Sequence, residues 1–347
     1  MAKISLSFFT LKINDISNNP PQTQLFSNLS GKTINEVLRN YFKSTASDYQ
    51  NDTANERLFR TISYNEYVHK HNTDVLFNSI AVTVKTGNYG VEAELIDSAD
   101  TSHKTNIKAS EAPVLSFSFG IYYNPMKDLA ILVTQSISRN SITNIIKEHL
   151  SNMLKAINPS YKLEIKNVSP DKLLKKLLDN EKIKNIKIET YKNKFYSIED
   201  DLGSKTDIAT AKVYTVFNNP DIKDRNFLYN LFTKRYKVKN IIGLTSDEES
   251  IDNISIEFGN KTLNYDAYTS TRVSENITGL IEDTTHVTTL ELYPIMNEKV
   301  LEYLKSTHII KDIEEFSYEN IDTVPLYYFE VKEDDTFLER DLSTVTA

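Results

Sequence analysis

Three residues near the end of the chain have the types that metal-dependent phosphodiester cleavage uses. Asp322, Glu330 and Lys332 read as Asp and then Glu-Val-Lys on an apolar run. Two carboxylates on one metal ion, with a lysine beside the attacking water, would make that water nucleophilic. Solvated alternation on the outer face of a strand gives the same pattern. The six histidines, His69, His71, His103, His149, His286 and His308, are scattered. His69 and His71 share a face if extended, but the third or fourth ligand that holds a metal is not apparent, and they read as surface histidines. No Gly-x-Ser-x-Gly or Walker pattern occurs. With no cysteine there is no thiolate nucleophile and no disulfide framework. The residues imply no catalytic set, no metal and no cofactor.

Charge is a stronger signal. The chain has 40 Lys+Arg and 48 Asp+Glu, net −8. Ile137–Lys194 reverses the sign, with 13 basic and 6 acidic residues. Lys172, Lys175 and Lys176 lie opposite a leucine stripe, and Lys184, Lys187, Lys192 and Lys194 follow, interleaved with Tyr191 and Tyr196. A smaller group is Lys234, Arg235, Lys237 and Lys239. Cations within reach of one duplex face neutralise phosphates and release counterions. An ordinary solvated helix face also carries lysines. Arg139, Asn140 and Ser141 precede a helical period, where open amides accept a phosphate; plain capping by Asn140 or Ser141 is the alternative.

These residues need elements to position them. Ile142, Ile145, Ile146, Leu150, Met153, Leu154 and Ile157 recur at helical steps until Asn158-Pro159. Ser169-Pro170 opens a second helix with Leu173, Leu174, Leu177 and Leu178 inward. With strand runs at Val114–Phe119, Leu129–Thr134, Tyr161–Lys166 and Asn185–Tyr191, the order is ββαβαβ. Thr33-Ile34-Asn35-Glu36 matches a capping box, predicting a helix over Thr33–Lys43. Gly87–Gly90 and Gly259-Asn260 read as hairpin turns. Thr289–Tyr293 reads as a strand, and Glu298–Lys305 as a helix. The expected fold is α+β with mixed or antiparallel sheets. It comprises an N-terminal α+β domain (1–100), a central basic ββαβαβ block (112–198), a C-terminal α+β region (206–332) and an acidic, poorly ordered tail (333–347). No apolar run reaches the roughly 20 residues of a membrane helix, and the expected compartment is cytoplasmic.

The element order over 112–194, with its Val168-Ser169-Pro170 junction and lysine-rich last strand, resembles the RexA-type phage exclusion proteins and related phage-defence proteins. The resemblance implies a non-enzymatic homodimer that binds double-stranded DNA without marked sequence preference. Two alternatives stay open. One is a metal-dependent nuclease using Asp322, Glu330 and Lys332. The other is an acidic component of a defence complex that meets a protein partner.

Overall fold

A computed structural model describes residues 2–96, 99, 102–138, 140–168, 171–192, 198–199, 205–206, 211–218, 220, 228–229, 249–266, 272–281, 289–311 and 317–343. In chain order the elements begin with β1 (Ile4–Asp15), β2 (Gln22–Thr23), α1 (Ile34–Ser44), β3 (Gln50–Asp52), β4 (Arg57–His71) and β5 (Asp74–Asn88). Next come β6 (Ala93–Ile96), β7 (Lys104–Ile107), β8 (Leu115–Tyr123), β9 (Ala130–Ile137), β10 (Asn140–Ser141) and α2 (Thr143–Ile157). Then follow β11 (Tyr161–Asn167), α3 (Asp171–Asn180), β12 (Ile183–Lys192), β13 (Ile198–Glu199), β14 (Lys205–Thr206) and β15 (Ala211–Asn218). The last are β16 (Glu249–Phe258), β17 (Lys261–Asp266), β18 (Arg272–Asn276), α4 (Thr289–Ser306), β19 (Asp322–Val331) and β20 (Phe337–Asp341).

The α+β expectation is corrected. Strands take 49% of the described residues and helices 22%, with four α-helices among them. The chain divides into two compact units, one of Met1–Ile4, Thr10–Ile165 and Thr278–Ala347, the other of Ser5–Phe9 and Lys166–Ile277. The predicted ββαβαβ run therefore does not make a block. Its β8, β9 and α2 belong to the first unit and its α3 and β12 to the second. Local periodicity specifies each element, but strand partners come from distant sequence, and those partners decide the grouping.

In the first unit the antiparallel strand order is β9-β8-β5-β4-β19-β20. The boundary expected near 98–112 falls inside this unit, because β5 pairs with β8 from Thr86↔Leu115 to Asn78↔Tyr123. Nor does the Gly87–Gly90 turn return the chain along β5. A Cβ on Gly87 would sit 2.2 Å from the Pro113 carbonyl oxygen, so only glycine admits this approach. After it, β6 pairs with β7. The segment predicted as an acidic tail includes β20, paired to β19.

α1 forms because Thr33 and Glu36 close a reciprocal capping box, while Ile34, Val37, Leu38 and Phe42 make one buried stripe. Phe42 meets Phe119 at 5.6 Å between ring centroids, and Tyr64 stacks on Phe329 at 5.6 Å. Each fully buried phenylalanine stabilises by roughly 1.5–3 kcal/mol. Thr289–Tyr293, predicted as a strand, is the start of α4. Its alternation was incidental: Leu292, Met296, Val300 and Tyr303 are buried at helical spacing.

In the second unit the order is β15-β12-β16-β17-β18, followed by the Ser5–Phe9 part of β1. Side chains alternate across this sheet. Ile186, Ile188, Ile254, Ile256, Phe258, Leu263 and Val273 are buried, and Leu174, Leu177 and Leu178 of α3 are buried too. Gly259, at φ +49°, makes the β16–β17 turn at the predicted place. Among the described residues no helix is long and apolar enough to cross a membrane.

Candidate functional site

The predicted cationic residues fall into three classes. Arg139, Lys194, Lys234, Arg235, Lys237 and Lys239 lie outside the described residues. Lys172 and Lys176 are placed on α3 and Lys192 on β12 by their backbone alone. Lys175, Lys184 and Lys187 are exposed. Lys175 follows the buried Leu174 on α3 and points away from its apolar stripe. Lys187 sits between the buried Ile186 and Ile188, so the pleat turns it to the opposite, polar face of β12. On that face it pairs across to Ser255 and Val216. Lys184 occupies a bulge between Ile183 and Asn185 and donates to the Gly259 carbonyl at 3.0 Å. A row of five cations along one surface would need Lys184 and Lys187 to continue the exposed line of α3. The bulge holds Lys184 against the Gly259 carbonyl, and the pleat turns Lys187 to the face of β12 opposite Ile186 and Ile188.

The charge division is sharper than the lysine geometry. The second unit holds 19 Lys+Arg against 17 Asp+Glu, net +2, and the first holds 21 against 31, net −10. Within Lys166–Lys194 alone there are 9 lysines and 4 acidic residues.

The carboxylate set does not converge. Asp322 pairs with Lys70 and Glu330 with Ser63 along β19, and both carboxylates are exposed. Eight residues of extended strand, at ~3.3 Å each, hold them roughly 26 Å apart, too far to share one ion. Among the described residues no group of three or more His, Cys, Asp or Glu is placed to hold a metal. The phosphate-binding reading of Arg139–Ser141 also meets another arrangement. Asn140 and Ser141 form β10 against β9, and Ser141 Oγ accepts the Thr143 amide at 3.3 Å. Thr143 Oγ1 in turn meets Thr134 Oγ1 at 2.8 Å, so hydroxyls fill the start of α2.

Two buried polar networks escaped the sequence reading, and both lie in the first unit. His69, read as a surface residue, is fully buried. Its Nε2 meets Ser79 Oγ at 2.7 Å, its Nδ1 meets Thr323 Oγ1 at 3.1 Å, and its ring stacks on Phe77 at 4.1 Å. Tyr293 OH bonds Ser79 Oγ and lies 3.3 Å from the same Nε2. A serine beside a histidine has the types of a nucleophile and its base. Ser79 and His69 both have zero exposure, however, so no substrate reaches them. Burial pushes His69 down to about 3, which keeps the ring neutral and makes the cluster a strut between strands and α4.

The second network centres on Glu66, 1% exposed. Its carboxylate accepts Arg39 Nε at 2.8 Å and Nη2 at 2.7 Å, Asn35 Nδ2 at 2.9 Å and Tyr64 OH at 3.0 Å. The Arg39 guanidinium also lies 3.9 Å from the Tyr327 ring centroid. The bond to Glu66 holds Arg39 charged against the cost of its burial. This constellation clamps α1 to β4 and has no open coordination position. Strand alternation around Glu66 gave no sign of it, because its partners are 27 and 31 residues away.

No family model and no curated protein matches this chain.

Proposed function

We propose that this chain is a non-enzymatic nucleic-acid-binding protein whose second unit holds double-stranded DNA without reading its sequence. The observation that carries the reading is the segregation of charge: net +2 in the second unit, with exposed Lys175 and Lys187, against net −10 in the first. Contacts to phosphate supply affinity that is indifferent to sequence, and the acidic unit repels DNA and confines contact to the basic one. The setting proposed for this binding is phage defence, as a homodimer, as the RexA-type resemblance implies, in the cytoplasm that the sequence composition suggests. The roughly 26 Å that β19 puts between Asp322 and Glu330 weighs against the nuclease alternative. The −10 balance of the first unit favours one second reading, in which that unit docks a basic protein partner.

Fluorescence anisotropy with two duplexes of unrelated sequence, at low salt, tests the proposal. Wild-type protein binds both alike, and Lys175→Gln with Lys187→Gln weakens both equally. Absence of association, or a strong preference for one duplex, overturns it. Loss of plasmid integrity in Mg²⁺ that disappears in Glu330→Ala would restore the nuclease.

A further inference from the structure

The first unit contains an open cleft of about 560 Å³ that neither buried network touches. Its walls come from the start of β5, the β8–β9 turn and the segment after α4. Each wall is fixed by its own backbone. Asn124 ties two of them together, donating from Nδ2 to the Leu76 carbonyl at 3.3 Å and accepting the Met126 amide on Oδ1 at 2.9 Å. Past α4, the amides of Ile309 and Ile310 both return to the Leu304 carbonyl, at 3.0 and 3.3 Å. The cleft is therefore preformed, and its volume is that of a site for a small organic molecule.

Its chemistry reverses that of its surroundings. Lys127, His308 and Lys311 line the cleft and are exposed, with Asp74 as the one acidic residue in its wall. Among the described residues neither Lys127 nor Lys311 forms an ion pair, although the unit has ten more acidic than basic residues. The same wall carries one exposed apolar side chain, Val75, at 52%, while Leu76, Ile309 and Ile310 are buried beneath it. A half-exposed valine among cations suits a ligand with an apolar body and an anionic head. We infer that this cleft binds a small organic anion, its head on Lys127 and Lys311 and its apolar part on Val75. The site is independent of DNA binding by the second unit.

Isothermal titration calorimetry with octanoate, octanamide and acetate at pH 7 tests the inference. Octanoate gives saturable one-to-one binding. Octanamide lacks the charge and acetate lacks the chain, so each binds at least about tenfold more weakly, as expected for one lost charged hydrogen bond or a lost apolar contact. Lys127→Gln with Lys311→Gln weakens octanoate by about tenfold or more and leaves the denaturation midpoint in place, since both side chains are exposed. Val75→Asp, which sets a second carboxylate in the wall, abolishes octanoate binding. No saturable octanoate binding, equal affinity for octanamide, or an unchanged constant in the double variant each overturns the inference.

Discussion

The two units use polar residues in opposite ways. In the first, the groups with most chemical potential are turned inward and fully engaged: His69, Ser79 and Tyr293 in one cluster, and Glu66 with Arg39, Asn35 and Tyr64 in the other. In the second, the buried positions among the described residues are Ile, Leu, Phe and Val apart from Ser7 and Glu275, and Lys175, Lys184 and Lys187 are turned outward. Even Glu275 has Lys261 at 3.5 Å. A buried carboxylate or imidazole that has all its partners acts as a clamp. An exposed lysine has little to lose by exchanging water for phosphate. Polar groups thus brace the interior of the first unit and lie on the surface of the second, although both are antiparallel sheet.

If the inward groups are clamps, removing one should cost stability without touching DNA binding. The largest loss is expected from Glu66→Ala, which strands a half-buried guanidinium and leaves the Tyr64 hydroxyl with only the Asn35 carbonyl, at 3.3 Å. Urea denaturation should show destabilisation of about 3 kcal/mol. A change below the resolution of that measurement would make Glu66 a tenant of the core and not its clamp.

Ser79→Ala comes next, because it removes the hydroxyl that bridges His69 Nε2 and Tyr293 OH and leaves these two their 3.3 Å contact with each other. The expected cost is about 2 kcal/mol by the same measurement.

The histidines add a pH dependence of known sign. Burial holds His149 down to about 4 and His69 down to about 3, below their ordinary value of 6.5. Tyr41 OH meets His149 Nδ1 at 2.6 Å, and Phe59 stacks on the ring at 3.7 Å. Between pH 6.5 and pH 4 the unfolded chain takes protons that the folded chain refuses, so stability falls as pH falls. The slope is up to about 1.4 kcal/mol per pH unit for each histidine once the unfolded imidazole is charged. His149→Gln should flatten the fall measured between pH 6.5 and 5, and an unchanged slope would show that the ring is solvated in solution.

The smallest stability effect is expected in the second unit. Lys175→Gln with Lys187→Gln should shift stability by less than about 0.5 kcal/mol, because both residues are exposed. A larger loss would mean that the outward lysines also brace the fold.

The sequence made legible what is local. The Thr33–Glu36 capping box and the Gly259 turn need information from four or five residues, and both stand where they were expected. Interactions that join distant segments were not legible. Glu66 reads as the polar position of an alternating strand until β19 is laid beside β4, bringing Tyr327 opposite it. His69 looks like a surface residue until Thr323 and Tyr293 arrive from 254 and 224 positions away. The ββαβαβ order was readable for the same local reasons, and it misled because contiguity in sequence was taken for contiguity in packing. Among the lysines, the exposure of Lys175, Lys184 and Lys187 was legible, but the bulge at Lys184 was not, since it has no sequence signal.

The central claim, that DNA binding resides in outward charge, is tested most directly by the salt dependence of duplex affinity. For a purely electrostatic contact the logarithm of the binding constant falls linearly with the logarithm of salt, by about 0.9 per phosphate neutralised. The account predicts such a line for wild-type protein, the same for unrelated sequences. In Lys172→Gln, Lys175→Gln, Lys176→Gln protein it predicts a line shallower by roughly 1–3. A wild-type affinity indifferent to salt, or a slope that the triple substitution leaves unchanged, would contradict it.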